Sequence, residues 1–349
     1  MLLVIFGAGA SFDSVPHYLP GNSPFPIDKY RPPLANQLFD DRDAFVAIMQ
    51  RFSDCLPLIP HLRGGVQVEQ RLARFQSEAA KYPARHRQLA AIRYYLHVML
   101  WTCQINWSGQ HHGITNYATL LDTIERWRFE SGEQVCFVTF NYDTMMEEAM
   151  KQVLHFQLDV LPSYVNQTDY KLVKLHGSVN WGRFIQDGFP TPPIDNQQQI
   201  IKVAADLKIS DSYTLVDGYP MLFQKEALVF PALAIPIEKK DCFECPQEHI
   251  EVLASIIPRV TKVVTVGWRA TEEHFLNMLR KPLTGLATKN IDLLIVSGSQ
   301  DGAQETLKNL SIGVATDRYG SVPTGFSGLT RNLETLDVML RETPWQKGR

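Results

Sequence analysis

The sequence predicts an α/β protein with a Rossmann-like, doubly wound, mainly parallel sheet and a helical insertion after its first strand. Three observations carry this prediction. Short apolar runs recur along the chain without the in-out alternation of a half-solvated sheet, as strands covered on both faces require. Amphipathic helical stretches lie between them. Several of the runs end in glycine, as strands do where they leave the carboxyl edge of such a sheet.

The strand candidates are 2–6, 135–140, 171–175, 227–230, 262–266 and 291–296, rich in Val, Ile, Leu and Phe. Helical faces are formed by Phe45, Ile48, Met49 and Phe52, by Leu89, Ile92, Leu96, Met99 and Leu100, and by Tyr117, Leu120, Leu121, Ile124 and Trp127. Segment 144–155 opens with Thr144-x-x-Glu147, the spacing of a capping box, and then presents Met145, Ala149, Met150 and Val153 on one side. The order is one strand, a mostly helical stretch at 34–130, then strands alternating with helices. We read 1–349 as a single domain with the helical stretch inserted in it. Two long loops interrupt the pattern. One carries Pro16, Pro20, Pro24, Pro26, Pro32 and Pro33, and the other, at 182–220, is polar with Gln197, Gln198 and Gln199 in a row. Loops of this length in a compact domain serve as lids or interaction surfaces.

With 349 residues, 45% hydrophobic and 20% charged, the chain has the composition of a globular protein. A net charge of -3 gives no electrostatic reason to expect nucleic acid or an anionic membrane as a partner. The apolar run 2–6 is too short for a signal peptide, and no stretch reaches the length of a membrane span. Cysteines at 55, 103, 136, 242 and 245 form no disulfide framework, so a reducing, cytoplasmic setting is expected.

The chemistry concentrates at strand ends. Gly7-Ala8-Gly9-Ala10-Ser11 follows the first strand directly. Glycines there allow a pyrophosphate to approach the backbone, and Ser11 can donate a hydroxyl hydrogen bond to it; the bland alternative is a tight strand exit. Thr139-Phe140-Asn141-Tyr142-Asp143 places an amide and a carboxylate past the next strand, where they can hold sugar hydroxyls or water, or merely shape the turn and cap a helix. Leu175-His176-Gly177-Ser178 ends another strand in a histidine, the side chain best suited to move a proton near neutral pH, although a lone histidine is often structural. Val266-Gly267-Trp268-Arg269 and Ile295-Val296-Ser297-Gly298 add two further exits. Their convergence on one crevice favours a nucleotide site.

Cys242-x-x-Cys245 with His249 has zinc-like spacing but no second pair, and Pro246 suits a helix start there, so no metal is expected. A hydride-transferring dinucleotide enzyme would show an acidic residue about 20 positions beyond the glycine turn. That region is proline-rich, and Asp28 is the acidic residue near that distance.

The ordered set Gly7-Ala8-Gly9-Ala10-Ser11, Phe140-Asn141-Tyr142-Asp143 and Leu175-His176-Gly177-Ser178 resembles the sirtuin superfamily. Its spelling, with Val266-Gly267-Trp268-Arg269 and Glu273-His274-Phe275, is similar to the divergent prokaryotic branch of sirtuin-like NAD hydrolases of antiphage defence. The resemblance implies NAD as substrate, with its diphosphate on Gly7, Ala8, Gly9 and Ser11 and with Gly267 and Ser297 nearby, Ser297 toward the adenosine. It implies Asn141 and His176 as catalytic residues and Asp143 in the nicotinamide–ribose pocket. The chain departs from deacylase sirtuins in lacking two CxxC pairs and the Gly-Ile-Pro-Asp-Phe-Arg loop. The expected activity is therefore NAD glycohydrolysis, with NAD-dependent deacylation or a non-catalytic NAD- or ADP-ribose-binding module as alternatives. An enzyme that destroys NAD must be kept silent until needed, so its activity is expected to be gated by homo-oligomerisation or by an activating protein partner encoded nearby, with the helical insertion as the interface.

Overall fold

The computed structural model describes residues 1–15, 29–64, 68–186, 196–216, 223–224, 227–235, 243–284, 291–310 and 318–341. In chain order the strands are β1 (Leu2–Phe6), β2 (Val135–Thr139), β3 (Tyr170–Lys174), β4 (Gly177–Ile185), β5 (Ile209–Leu215), β6 (Phe223–Gln224), β7 (Ala227–Leu233), β8 (Lys262–Val266), β9 (Asp292–Val296) and β10 (Tyr319–Val322). The helices are α1 (Ala8–Phe12), α2 (Asp43–Arg51), α3 (Ile59–Leu62), α4 (Val68–Glu78), α5 (Ala84–Gln110), α6 (Asn116–Ser131), α7 (Met145–Leu154), α8 (Asn196–Lys202), α9 (Gln247–Ile256), α10 (Glu273–Thr284), α11 (Gln300–Leu310), α12 (Gly325–Arg331) and α13 (Glu334–Arg341).

A six-stranded sheet runs β10-β9-β8-β1-β2-β3, every neighbouring pair parallel. With β4–β7 set aside, this is the 3-2-1-4-5-6 order of the dinucleotide-binding fold, and the direction of winding reverses between β1 and β8. All residues of β1, β2, β8 and β9 are buried, which is why these runs are apolar without alternation. The Rossmann-like α/β class is thus what the chain adopts.

A second sheet, β5-β4-β7-β6, is antiparallel. It starts where the first sheet stops: β3 ends at Lys174 and β4 begins at Gly177. Gly177 sits at φ 79°, and a Cβ there would lie 1.9 Å from the Ala232 carbonyl oxygen, so this crossing demands glycine. Segment 227–230, expected among the parallel strands, is β7 of this second sheet. The stretch 182–220, expected as loop, holds the end of β4, α8 and β5. The difference has a plain cause. β5 is an edge strand with exposed Asp211 and Ser212, so it carries no apolar run to mark it.

The buried side chains form two cores. One surrounds the parallel sheet and takes in Tyr117, Leu120, Leu121, Ile124 and Trp127 of α6. The other joins α2, α4 and α5 to Val179, Phe230 and Leu233 of the antiparallel sheet. Its spine is the 27-residue α5, buried on more than one face through Tyr94, Tyr95, Leu96 and Met99. Pro32 and Pro33 of the first long loop are buried, whereas Pro16, Pro20, Pro24 and Pro26 lie outside the described residues. Among the described residues no helix is long and apolar enough to cross a membrane.

Candidate active site

A cavity of about 860 Å³ opens over the carboxyl ends of the parallel strands, where β1 and β8 part. A ligand crevice is expected at such a switch point. Gly7, Ala8, Gly9, Ser11, Asn141, Asp143, His176, Gly267 and Ser297 all line it. The helical part closes the far side with Leu38, Val68, Glu69 and Leu100.

The glycines first serve to bring two backbones together. Gly7 N–H donates to the Val266 carbonyl and Gly9 N–H to the Gly267 carbonyl, each at 3.0 Å. A Cβ on Gly7 would stand 2.6 Å from the Gly267 oxygen, and one on Gly9 would stand 2.9 Å from Gly267 Cα. Gly267 itself has φ 58°, and its Cβ would fall 2.3 Å from the Ala10 nitrogen. The exits of β1 and β8 are therefore locked against each other, leaving an edge with no side chains at positions 7, 9 and 267.

Beside this edge lies a buried polar network. Ser11 donates to Asp143 Oδ2 at 2.6 Å, and Asn141 Nδ2 donates to Ser11 Oγ at 2.9 Å and to the Tyr117 hydroxyl at 3.2 Å. Ser11 Oγ and the Tyr117 oxygen are 3.0 Å apart. The Ser11 proton, suggested by sequence for a diphosphate, is held by the Asp143 carboxylate. Asp143 Oδ1 accepts Met145 N–H at 3.1 Å, fixing the carboxylate at the start of α7. Burial, and then the Asp143 charge, push the Tyr117 phenol well above its ordinary range, so it stays protonated.

Under this network sits an ion pair. The ammonium of Lys174, fully buried, bonds the Asp143 carbonyl and lies 2.9 Å from Glu147 Oε1. Burial raises the Glu147 pKa, and the Lys174 charge opposes the shift. The capping box expected at Thr144 and Glu147 does not form. Gln104 Oε1 accepts the Thr144 N–H at 2.8 Å, Asp143 accepts the next N–H, and Glu147 turns to the lysine. A buried cation needs its counter-ion more than a helix start needs one more acceptor.

His176 is half-buried. Its carbonyl accepts Ala234 N–H at 2.9 Å, and its ring meets Phe140 edge-on at 4.9 Å and lies 6.1 Å from Tyr142. Phe140 stacks on Trp268 at 5.5 Å, and the Trp268 indole N–H donates to Glu272 at 2.6 Å. An aromatic wall thus flanks the histidine. Arg31 and Arg269 also line the cavity; Arg31 Nε donates to the Phe12 carbonyl at 2.8 Å.

Sequence placed Tyr117 on an apolar helical face and Glu147 in a capping box and gave Lys174 and Arg31 no role; none of the four was read as a site residue. Lys174 had a visible signal, a charge set directly between the apolar Val173 and Leu175. His249 Nε2 is hydrogen-bonded with the Leu161 carbonyl at 3.0 Å, and its ring stacks on Tyr164. Cys242 and Asp28 lie outside the described residues. Among the described residues no group of three His, Cys, Asp or Glu side chains is placed to hold a metal ion.

No family model and no curated protein matches the chain. Solved structures similar to it include Sir2 homologues. A mutant Sir2 homologue in complex with 2'-O-acetyl-ADP-ribose has TM-score 0.46 and 12% identity, with 100% of this chain and 94% of that chain covered. A complex of a Sir2 homologue with NAD has TM-score 0.41 and 12% identity, covering 97% of this chain and 88% of that one. Sir2 bound to an acetylated peptide has TM-score 0.37 and 13% identity, covering 96% and 92%.

Proposed function

We propose that this chain binds NAD in the cavity and hydrolyses the bond between nicotinamide and ribose. The observation that supports this most is the meeting of Asn141, Asp143 and His176 with the glycine turn at the switch point of the parallel sheet. The diphosphate would lie along the bare edge at Gly7, Ala8 and Gly9, beside Gly267, with Ser297 toward the adenosine. Nicotinamide leaves readily because the pyridinium becomes neutral on departure, and the protein's task is to stabilise an oxocarbenium-like ribose and deliver water. Asn141 Nδ2 is engaged by Ser11 and Tyr117, so Oδ1 is the atom left to hold a water or a ribose hydroxyl. The Asp143 carboxylate offsets positive charge on the sugar. His176 polarises a hydroxyl or takes the proton of the attacking water.

The motif resemblance extends this reading to NAD depletion in antiphage defence, with activity gated by self-association or by a partner encoded nearby. A constitutively active monomer would sink that extension.

The test is nicotinamide release by the purified chain and by Asn141→Ala and His176→Ala, with and without an acetylated peptide. Each variant should lose about a hundredfold or more in kcat. Full activity in both would overturn the site assignment. Turnover only with peptide, releasing an O-acyl-ADP-ribose, would replace hydrolysis by deacylation. Binding of intact NAD with no turnover under any condition would make the chain a binding module.

A further inference from the structure

The hydrogen-bond directions around Asn141 can be worked out from the groups themselves. An ionised carboxylate only accepts, so Ser11 gives its single proton to Asp143 at 2.6 Å. Ser11 Oγ is then an acceptor for both of its other neighbours, Asn141 Nδ2 and Tyr117. Tyr117 must donate to Ser11, and its oxygen accepts from Asn141 Nδ2. The amide nitrogen thus has two acceptors, and a flipped amide would set Oδ1 against the lone pairs of Ser11. The phenol ring is itself clamped, 5.1 Å from Phe6 and 5.3 Å from Phe326, so its hydroxyl is a fixed point.

We propose that Tyr117 is a positioning residue whose hydroxyl, directly and through Ser11, holds the Asn141 amide with Oδ1 left for the ligand. The inference rests on the reading of Asn141 as catalytic in nicotinamide–ribose cleavage. Without the phenol, one contact to Ser11 remains and the amide gains rotational freedom, at a site where orientation sets rate.

Tyr117→Phe keeps the ring and removes the hydroxyl. We expect kcat for nicotinamide release to fall about tenfold, with KM and the ADP-ribose Kd unchanged within about twofold. In an Asn141→Ala background the same substitution should cost nothing further, because Tyr117 acts through Asn141. Ser11→Ala, which breaks the link from the other side, should lower kcat in the same way. Equal losses in kcat and ADP-ribose affinity, or losses that add in the double variant, would overturn the proposal by making Tyr117 a packing residue. A second readout does not depend on turnover: the side-chain amide NMR signal of Asn141, identified by its loss in Asn141→Ala. It should shift and exchange faster with water in Tyr117→Phe. If wild type releases no nicotinamide, the catalytic reading fails by itself. The amide signal then decides the positioning, and an unmoved signal overturns it.

Discussion

Replacing Gly267 by alanine tests how the crevice edge is built. The backbone is at φ 58°, where a Cβ costs roughly 1–2 kcal/mol even with free space around it. Here there is none: the new carbon would stand 2.3 Å from Ala10 N and 2.4 Å from Gly9 C, both backbone atoms. The two exits must separate by about 1 Å to restore ordinary contact, which disturbs the Gly9 N–H bond to the Gly267 carbonyl and the Gly7 N–H bond to Val266. At about 0.5–1.5 kcal/mol for each hydrogen bond, the total comes to about 2–5 kcal/mol. Gly298→Ala is the control, since it lines the same cavity and has nothing within 4 Å of its would-be Cβ. Urea unfolding of the two variants gives the comparison, and ADP-ribose calorimetry reports on the edge itself. A Gly267→Ala protein within about 1 kcal/mol of wild type, with unchanged affinity, would show that the contact between the β1 and β8 exits is slack and the argument wrong.

Two further outcomes follow from buried charge. Burial pushes the His97 imidazole down to about 4 from 6.5, while its Nε2 is hydrogen-bonded with the Val179 carbonyl at 2.7 Å. Between those two values the unfolded chain binds the extra proton. Stability is therefore present above pH 6.5 and is lost as pH falls toward 4, by about 2 kcal/mol at pH 5. Urea midpoints at pH 7 and pH 5 should show this, and His97→Gln should flatten the difference. Glu147→Gln strands the Lys174 ammonium in the core and should cost about 3–5 kcal/mol, measured by thermal or urea unfolding, whereas Glu147→Leu with Lys174→Met should recover most of it.

Legibility in the sequence followed burial. Strands covered on both faces announced themselves, because most of their positions must be apolar. β5 is an edge strand with both Asp211 and Ser212 exposed, and so read as loop. Asn141 and His176 stood out because each follows an apolar run directly, and Asp143 because it lies two positions past Asn141. Tyr117 was hidden for the opposite reason: its ring belongs to the apolar stripe with Leu120, Leu121 and Ile124, and one-dimensional spacing says nothing of where a hydroxyl at the end of a core ring points. Ser11 and Asn141 lie far apart in sequence, so their hydrogen bond and the resulting choice of amide atom required the folded chain. Lys174 was readable in principle, since a lysine drawn into the core between Val173 and Leu175 needs a partner, but that the partner is Glu147 of α7 required the folded chain.

The locking of the β1 exit to the β8 exit also bears on how the chain is completed during synthesis. Leu2 pairs with Val135 on one side and with Lys262 on the other. β1 is thus made before either of its neighbours, and its β8 edge stays bare until Lys262–Val266 is built, an arrangement of high contact order. The carbonyls that hold Gly7 and Gly9 belong to Val266 and Gly267, so the turn acquires its shape only after the second core has had its chance to form. A nascent chain that ends before β8 carries Asn141 and His176 but no crevice for them to serve. A ligand held against both exits therefore stabilises only a chain that has reached β8.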